Sequence, residues 1–363
     1  MSALAAFSDT YAEARAKFLD AVRAAGGTAT AYPHEAAAGP EGERLYLDVG
    51  VIGPANAARR LAVCCGTHGI EGFSGSAAQA AWLAGGGAGR LPPDTAVVLL
   101  HATNPWGFAH KTRCTEENVD LNRNFVDFGA PRPANPGYHE VHPNITPADW
   151  DDATVAGVFR WLDEFRARVG EQAFSDAYNG GQYSHADGIF YGGARAQWSH
   201  RAFLQAIDAH LAGARQVGCI DLHTGIGPYL DHIYICFHPA GSAAHERARH
   251  WWGERAVNRQ GVTHKALADY KGILVNALAG RLPQAEITAA VIEFGTRERR
   301  DMQRAGMAGR WLQFEGHRDP TKAARVKAEY IEAFYPSAPE WKRAVLAQSR
   351  EFLDRALKGV ATA

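Results

Sequence analysis

The chain has 363 residues, and its 38 Lys and Arg against 39 Asp and Glu give a formal net charge of −1. Proteins that bind nucleic acid usually carry a basic surplus or a basic stripe, so this balance argues against a nucleic-acid partner. No apolar stretch approaches the roughly 18 residues of a membrane-spanning helix, which excludes that class of membrane protein. The N-terminal segment lacks the basic start of a secretory signal, and the five cysteines form no CxxC pair, so we expect reduced thiols and a cytoplasmic location.

Apolar periodicity predicts strands and helices that alternate along the chain. The predicted strands are residues 45–51, 61–65, 96–100, 216–222, 233–237 and 289–294. The predicted helices are residues 7–25, 75–83, 151–169, 197–210 and 242–259, followed by a mostly helical segment at 322–358. The Gly- and Pro-rich segments 85–93 and 128–147 are expected to be loops. Such alternation predicts an α/β sheet covered by helices on both faces, and no break in composition divides the chain into two domains.

Four of the predicted strands end in polar residues that are capable of chemistry, and ligands of open α/β sheets bind beyond the carboxyl ends of the strands. The first segment is LAVCCGTHGIEG, in which His68 and Glu71 are three residues apart. This spacing places the imidazole and the carboxylate about one helical turn apart, so both can reach one metal ion. The pair taken alone is weak, because a loop histidine and an unrelated surface glutamate give the same pattern.

Two later strands deliver further candidates to the same edge of the sheet. The segment VGCIDLHTGIG ends a strand at His223, and Asp221 can hold its ring or cap the next turn. The segment AAVIEFGT places Glu293 inside an apolar strand. A carboxylate there is costly unless it is paired, close to a metal or functional, and the structural alternative is pairing with Arg297 or Arg299.

The fourth segment, HATNPWGFAHKTRCTEENVDLNRNF, offers Arg113, Asn122 and Arg123 after a strand that ends near residue 101. A guanidinium can polarise a carbonyl oxygen or bind a carboxylate in a bidentate manner. Asp120 in the same segment is a candidate N-cap or an acceptor behind another site residue. The four segments together supply the side chains of a zinc hydrolase with three protein ligands and an open fourth position.

In content and in order these segments resemble the zinc carboxypeptidase-like metallopeptidase family. GTHGIEG resembles the H-x-x-E zinc motif of the family, and HATNPWG resembles its Asn-Pro-x-Gly turn. ENVDLNRNF resembles its Asn-Arg segment. DLHTG resembles the segment with the last zinc ligand, and VIEFGT resembles the strand with the catalytic glutamate. The stretch GQYSHADGIFYGGARAQWSHR is similar to a bacterial branch of the family rather than to the digestive carboxypeptidases. The resemblance implies one α/β domain over residues 1–363 with a mixed, mostly parallel central sheet and a helical C-terminal segment at about 320–363. It also implies one zinc ion per chain, held by His68, Glu71 and His223.

The same resemblance implies roles for the remaining candidates. Glu293 is expected to be the general base and Arg113 to polarise the scissile carbonyl. Asn122 and Arg123 are expected to hold a carboxylate of a small peptide or acylated amino acid. The tyrosine that closes over substrate in this family has no matching motif here, and the candidates for it are Tyr270, Tyr229 and Tyr191.

Three functions are consistent with these residues. The leading interpretation is a zinc metallopeptidase of the carboxypeptidase type. The GTHG and DLHTG segments are also similar to the succinylglutamate desuccinylase and aspartoacylase branch, which implies an N-acyl amino acid amidohydrolase as the alternative. A non-catalytic zinc-binding or ligand-binding protein is the third, and the intact set of four ligand and base residues argues against it. Homo-oligomerisation is left open.

Overall fold

The computed structural model describes residues 3–253, 256–257 and 268–362. The strands in these residues are β1 (Thr28–Ala38), β2 (Arg44–Ile52), β3 (Arg59–Cys65), β4 (Thr95–His101), β5 (Gln216–Gly225), β6 (His232–Ile235), β7 (Ala256–Val257) and β8 (Glu286–Gly295). They form one sheet in the order β1-β2-β4-β3-β5-β8-β6-β7. The four central strands, β4, β3, β5 and β8, run parallel. The pairs β1–β2, β2–β4 and β6–β8 are antiparallel, and β7 is parallel to β6. The predicted α/β class with a mixed, mostly parallel sheet is confirmed.

Continuous apolar sequence explains why the central strands lie in the middle of the sheet. Every residue of β4 is buried, and so are all but the first residue of β3 and β5. A strand that is covered by helices on both faces needs apolar side chains at successive positions rather than at alternate ones. The edge strand β1 was not predicted, because most of its side chains are exposed and it has no apolar run.

The helices are α1 (Tyr11–Ala24), α2 (Gly72–Ala84), α3 (Pro105–Ala109), α4 (Tyr138–Ile145), α5 (Asp152–Val169), α6 (Glu171–Asn179), α7 (Trp198–Leu211), α8 (Ala243–Trp252), α9 (Leu274–Arg281), α10 (Arg299–Phe314), α11 (Pro320–Phe334) and α12 (Pro339–Thr362). Helices α1, α2, α8, α11 and α12 cover one face of the sheet around a large apolar cluster. Helices α7 and α9 cover the other face. Helices α4, α5, α6 and α10 bury a third apolar cluster of their own beside the sheet.

Several predicted helices and loops differ from the structure. The expected loop 128–147 contains helix α4, whose buried face of Tyr138, Val141 and Ile145 packs in the third cluster although Pro143 lies inside the helix. Helix α10 was not predicted; its sequence RRDMQRAGMAGRWLQF begins with charged residues and contains two glycines, which are unfavourable inside a helix. The helix expected at 242–259 ends at Trp252; residues 254–255 and 258–259 lie outside the described part of the chain.

The C-terminal residues form two helices, α11 and α12, separated near Pro336 as the sequence indicates. In the described residues, no helix combines the length and the apolarity that crossing a bilayer requires.

Candidate metal centre and active site

The carboxyl ends of β3, β5 and β8 meet at one edge of the sheet because the three strands are parallel neighbours. Cys65 at the end of β3 pairs in register with Leu222 of β5. His223, one residue further along β5, pairs in register with Glu293 of β8. Side chains at the same level of adjacent strands project from the same face, about 5 Å apart. The register therefore places His223 and Glu293 side by side, next to the turn that follows β3.

The turn after β3 brings His68 and Glu71 to His223. His68 Nδ1 lies 3.1 Å from Glu71 Oε1 and 3.0 Å from His223 Nδ1. His223 Nδ1 lies 3.0 Å from Glu71 Oε2. All three side chains are buried, and one ligand atom from each lies within 4.8 Å of the other two. Two ring nitrogens and a carboxylate thus face a common point, as the H-x-x-E spacing and the end of β5 predicted.

Each imidazole of this cluster has a buried carboxylate on its other ring nitrogen. His223 Nε2 lies 2.7 Å from Asp221 Oδ2, and Asp221 Oδ1 accepts a hydrogen bond of 2.9 Å from the Thr67 hydroxyl. His68 Nε2 lies 3.2 Å from Asp120 Oδ1. A metal-bound histidine usually donates its second N–H to such an acceptor, which fixes the tautomer and raises the basicity of the ligand nitrogen. Asp120 also caps the short 3₁₀ turn Leu121–Arg123 by accepting from the Asn122 N–H, so it fulfils both alternatives considered for it.

The charges of the cluster also fit a divalent cation. Glu71, Asp120 and Asp221 are buried within contact of the two imidazoles. Burial alone would raise the pKa of Glu71, but the adjacent His68 and His223 lower it below its usual range. Two imidazole nitrogens and a carboxylate oxygen are ligands that zinc takes in proteins, and a cation among them offsets the buried negative charge.

Glu293 lies buried beside the cluster and is not engaged with the arginines that follow it. Arg297 and Arg299 pair instead with Glu332 and Glu171, at 3.6 Å and 3.7 Å. The Ile226 N–H points at Glu293 Oε2 from 3.4 Å. Burial raises the pKa of Glu293, and the neighbouring Glu71 adds to this while His223 and His68 oppose it. A carboxylate with a raised pKa next to a cation site is suited to proton transfer.

Hydrogen bonds between two loops bring Arg113 to the cluster of His68, Glu71 and His223. The Gly69 and Ile70 N–H groups donate to the carbonyls of Arg113 and Thr112, at 3.2 Å and 2.9 Å. The Arg113 guanidinium then donates twice to Asp120 Oδ2, at 3.1 Å and 3.2 Å, and once to Glu71 Oε1, at 3.2 Å. Its Nη2 lies 2.8 Å from His68 Nε2. Arg113 is thus fixed by two carboxylates of the centre while its side chain, 21% exposed, still borders the cavity.

Asn122 and Arg123 both line the cavity and are both 5% exposed. The Asn122 side-chain oxygen accepts a 2.8 Å hydrogen bond from the Leu274 N–H, which ties this segment to helix α9. Arg123 donates from Nη1 to the Asn122 carbonyl and from Nη2 to the Asn179 carbonyl. Among the described residues, its buried Nε has no hydrogen-bond acceptor. A buried guanidinium nitrogen that lacks an acceptor is costly, and a guanidinium is a side chain that can bind an anion.

A cavity of about 740 Å³ opens over the centre and is bordered by His68, Arg113, Arg123 and Glu293. Its apolar lining includes Ile233, Ile235, Phe237, Tyr270, Ile273 and Val291. Of the tyrosine candidates, Tyr270 borders this cavity and stacks on Arg123 with 4.6 Å between the guanidinium carbon and the ring centre. Tyr229 is exposed, and Tyr191 and Tyr229 are not among the described lining residues.

The loops around the site contribute unequally to the walls of the cavity. The segment 230–239 supplies three apolar lining residues, whereas 128–147 supplies none among the described ones. No sequence pattern pointed to Phe190, which has a positive φ of 54° and whose ring centre lies 5.5 Å from the guanidinium carbons of both Arg113 and Arg123. A positive φ at a bulky residue is strained and is found mostly where surrounding contacts enforce it. In this conformation the ring of Phe190 lies against the two arginines.

Several solved structures are similar to this chain. Carboxypeptidase A from Helicoverpa armigera is 13% identical with a TM-score of 0.45, over 90% of this chain and 74% of that chain. Bovine thrombin-activatable fibrinolysis inhibitor, in complex with tick carboxypeptidase inhibitor, is 13% identical with a TM-score of 0.44, over 89% and 95%. Succinylglutamate desuccinylase from Chromobacterium violaceum is 15% identical with a TM-score of 0.35, over 89% and 74%.

No curated protein sequence matches the chain significantly. Residues 7–348 match a family model described as "Protein of unknown function (DUF2817)". This match spans most of the chain, including every residue of the centre from His68 to Glu293. The chain therefore belongs to the DUF2817 family.

Proposed function

We propose that this protein is a zinc-dependent hydrolase of the metallocarboxypeptidase type, which cleaves an amide bond adjacent to a free carboxylate. The observation that carries the proposal is the convergence of His68 Nδ1, His223 Nδ1 and the Glu71 carboxylate at one point, with Glu293 in register beside His223. The cavity over this point has arginines and an apolar wall, which suits a small peptide or an acylated amino acid.

His68, Glu71 and His223 would hold one zinc ion at this centre. Zinc in such a site supplies Lewis acidity that activates water for attack on a carbonyl carbon. Glu293 takes a proton from the attacking water and delivers it to the leaving nitrogen. In the net reaction a C–O bond forms, the C–N bond breaks, and water supplies the hydroxyl of the new acid and a proton of the new amine.

Arg113 is placed to stabilise negative charge that develops on the carbonyl oxygen. Its ion pairs with Asp120 and Glu71 fix the guanidinium before substrate arrives, so little reorganisation is needed during the reaction. Removing one such donor typically costs a factor of about 10²–10³ in kcat.

Arg123 lines the cavity beside Asn122, and its guanidinium is the group that we expect to bind the substrate carboxylate. The aromatic rings of Tyr270 and Phe190 lie against this guanidinium and keep water from it. Binding a carboxylate there fixes which amide bond lies over the metal centre. An enzyme built in this way acts at the C-terminal end of its substrate.

The metal assignment is tested by zinc content, measured by mass spectrometry on purified wild type, His68→Ala and Glu293→Gln. We expect His68→Ala to lose the ion at this centre. Glu293→Gln should keep that ion and lose a factor of about 10²–10⁴ in turnover, the usual contribution of a general base. Glu286→Gln, an exposed change at the other end of the same strand, is the matched control. A Glu293→Gln enzyme with wild-type turnover, or a wild type that binds no zinc at this centre, would contradict the proposal.

The substrate class is tested with paired substrates that differ only at one end. Peptides with a free C-terminal carboxylate should be cleaved, and their C-terminal amides should not, because Arg123 then has no partner. Arg123→Ala should raise KM for the free acids while leaving zinc content unchanged. Release of acetate or succinate from N-acyl amino acids without peptide cleavage would assign the protein to the amidohydrolase alternative.

A further inference from the structure

A second group of metal-ligating side chains lies outside the proposed catalytic centre. It consists of His142 on helix α4 and of His185 and Asp187 in the segment 180–192. One ligand atom from each of the three lies within 4.8 Å of the others, and all three side chains are partly accessible. His142 Nε2 lies 3.0 Å from Asp187 Oδ1, and the rings of His142 and His185 are 4.0 Å apart. The catalytic proposal makes no use of these residues.

Hydrogen bonds and close backbone packing hold the two ligand-bearing segments together. Gln182 accepts from the His185 N–H at 2.7 Å and donates to the His185 carbonyl at 2.7 Å, which fixes the loop backbone around His185. At Gly188 the loop passes so close to α4 that a Cβ there would lie 3.1 Å from His142 Cδ2. On α4, His139 is three residues before His142 and reaches His185 Nε2 at 3.0 Å. The imidazoles are therefore brought together by a packed framework rather than by chance contact of surface side chains.

Asp187 is already oriented by a buried cation. Arg310, 7% exposed, donates to Asp187 Oδ2 at 3.1 Å and to the Asp187 carbonyl at 2.8 Å. The charge of Arg310 is shared with Glu315, at 3.3 Å. Arg310 thus holds Oδ2 of Asp187, and Oδ1 faces His142. Carboxylate ligands in metal sites are commonly held by such a hydrogen bond on the second oxygen.

We propose that His142, His185 and Asp187 bind a second divalent transition-metal ion of the zinc class, which clamps the loop 181–191 onto helix α4. Imidazole and carboxylate ligands together suit such ions better than Ca²⁺ or Mg²⁺, which prefer oxygen ligands alone. The three protein ligands leave room for water, as expected at a partly exposed position. This site is separate from the centre formed by His68, Glu71 and His223 and does not depend on the function proposed for it.

The clamped loop leads directly into the wall of the cavity. Phe190, three residues after Asp187, holds its strained backbone conformation and lies against Arg113 and Arg123. The next residue, Tyr191, accepts a 2.8 Å hydrogen bond from the Asp120 N–H. An ion at the second site therefore stabilises the loop that keeps Phe190 in the cavity. It affects catalysis only through the position of Phe190 against Arg113 and Arg123.

The proposal is tested by counting zinc ions after dialysis against Zn²⁺, in wild type, His68→Ala, His185→Ala and the double variant. The expected numbers are two, one, one and none. His317→Ala, a change at an exposed histidine elsewhere, is the control and should retain two. A His185→Ala protein that binds as many ions as wild type would overturn the second site. So would an equal loss in His317→Ala, which would show adventitious binding by surface histidines. An ion lost in His185→Ala but unaffected by His68→Ala would support the second site while refuting the proposed catalytic centre.

A second measurement reports on the clamp itself and does not require an active enzyme. Amide hydrogen exchange is followed across residues 181–191 in the His68→Ala background, with and without Zn²⁺. We expect Zn²⁺ to slow exchange in this loop and in α4 by at least about tenfold, and to have no effect once His142 is also replaced by Ala. Equal exchange with and without Zn²⁺ while the ion is bound would refute the clamp.

Discussion

The two imidazoles of the proposed metal centre differ in how their outer carboxylates are shared. Asp120 faces His68 but also accepts both hydrogen bonds from Arg113 and caps a 3₁₀ turn. Asp221 faces His223. In the described residues, the only other hydrogen bond found for the Asp221 side chain comes from the Thr67 hydroxyl. Its negative charge therefore acts mainly on one imidazole. Asp221 is the residue through which the basicity of a single ligand can be changed.

We predict that Asp221→Asn weakens zinc binding by about 10- to 100-fold, the usual cost of losing such a partner. The asparagine oxygen still accepts from His223 Nε2, so the ring keeps its orientation, but the negative charge that raises its basicity is gone. The measurement is a competition titration with a chelator of known zinc affinity. Thr67→Val removes only the hydroxyl that orients Asp221 and should have a smaller effect. Equal zinc affinity in Asp221→Asn and wild type would show that the carboxylate does not tune the ligand.

Among the elements, the turn that carries His68 and Glu71 depends on backbone contact with helix α3. A Cβ added at Gly69 would lie 1.9 Å from the Gly107 carbonyl carbon and 2.3 Å from the Phe108 nitrogen. These are backbone atoms, which cannot move aside as a flexible side chain would. The same turn receives Arg113 through the hydrogen bonds of Gly69 and Ile70. Glycine at position 69 thus allows the turn with the two proposed metal ligands to pack against α3 and to pair with the loop that carries Arg113.

We predict that Gly69→Ala lowers zinc affinity and the free energy of unfolding together, the latter by about 1–3 kcal/mol as for other overpacked sites. The added methyl group must push the turn away from α3, which separates His68 from Glu71 and shifts Arg113. Zinc competition and thermal unfolding measure the two effects. The matched control is Gly89→Ala, since a Cβ there meets no atom within 4 Å. Unchanged zinc affinity in Gly69→Ala would mean that the turn tolerates displacement.

The parts of the site that follow apolar strands could be predicted from the sequence, because a buried parallel strand fixes where its next residue lies. His223 and Glu293 are of this kind, and their register made them neighbours. Contacts between loops could not be predicted in this way. Phe190 enters the cavity from a loop with no periodicity, and His142 meets His185, which lies 43 positions further along the chain. Helix α10 forms because tertiary packing buries Met307, Ala308 and Trp311, which overrides a polar sequence.

At the scale of the whole molecule, the C-terminal helix α12 supports the strand that carries Glu293. Trp341, 1% exposed near the start of α12, donates a 2.8 Å hydrogen bond from its indole nitrogen to the carbonyl of Gly295. Gly295 is the last residue of β8, two positions after Glu293. The loop between β5 and β6 also packs closely against this backbone, since a Cβ at Gly295 would lie 2.0 Å from the Pro228 carbonyl oxygen. The last helix of the chain thus fixes the end of a central strand.

We predict that Trp341→Phe destabilises the protein by about 1–3 kcal/mol, because the Gly295 carbonyl loses its partner in a buried position. Part of the indole packing is kept, so the fold should persist with a lower Tm. The loosened end of β8 should reduce turnover while zinc content stays at the wild-type value, since none of the three ligands is on β8. Trp161→Phe, at a half-buried tryptophan stacked on Phe165 in helix α5, is the control and should change turnover little. A fall in Tm with fully retained turnover would show that Glu293 is positioned without α12, through β5 alone.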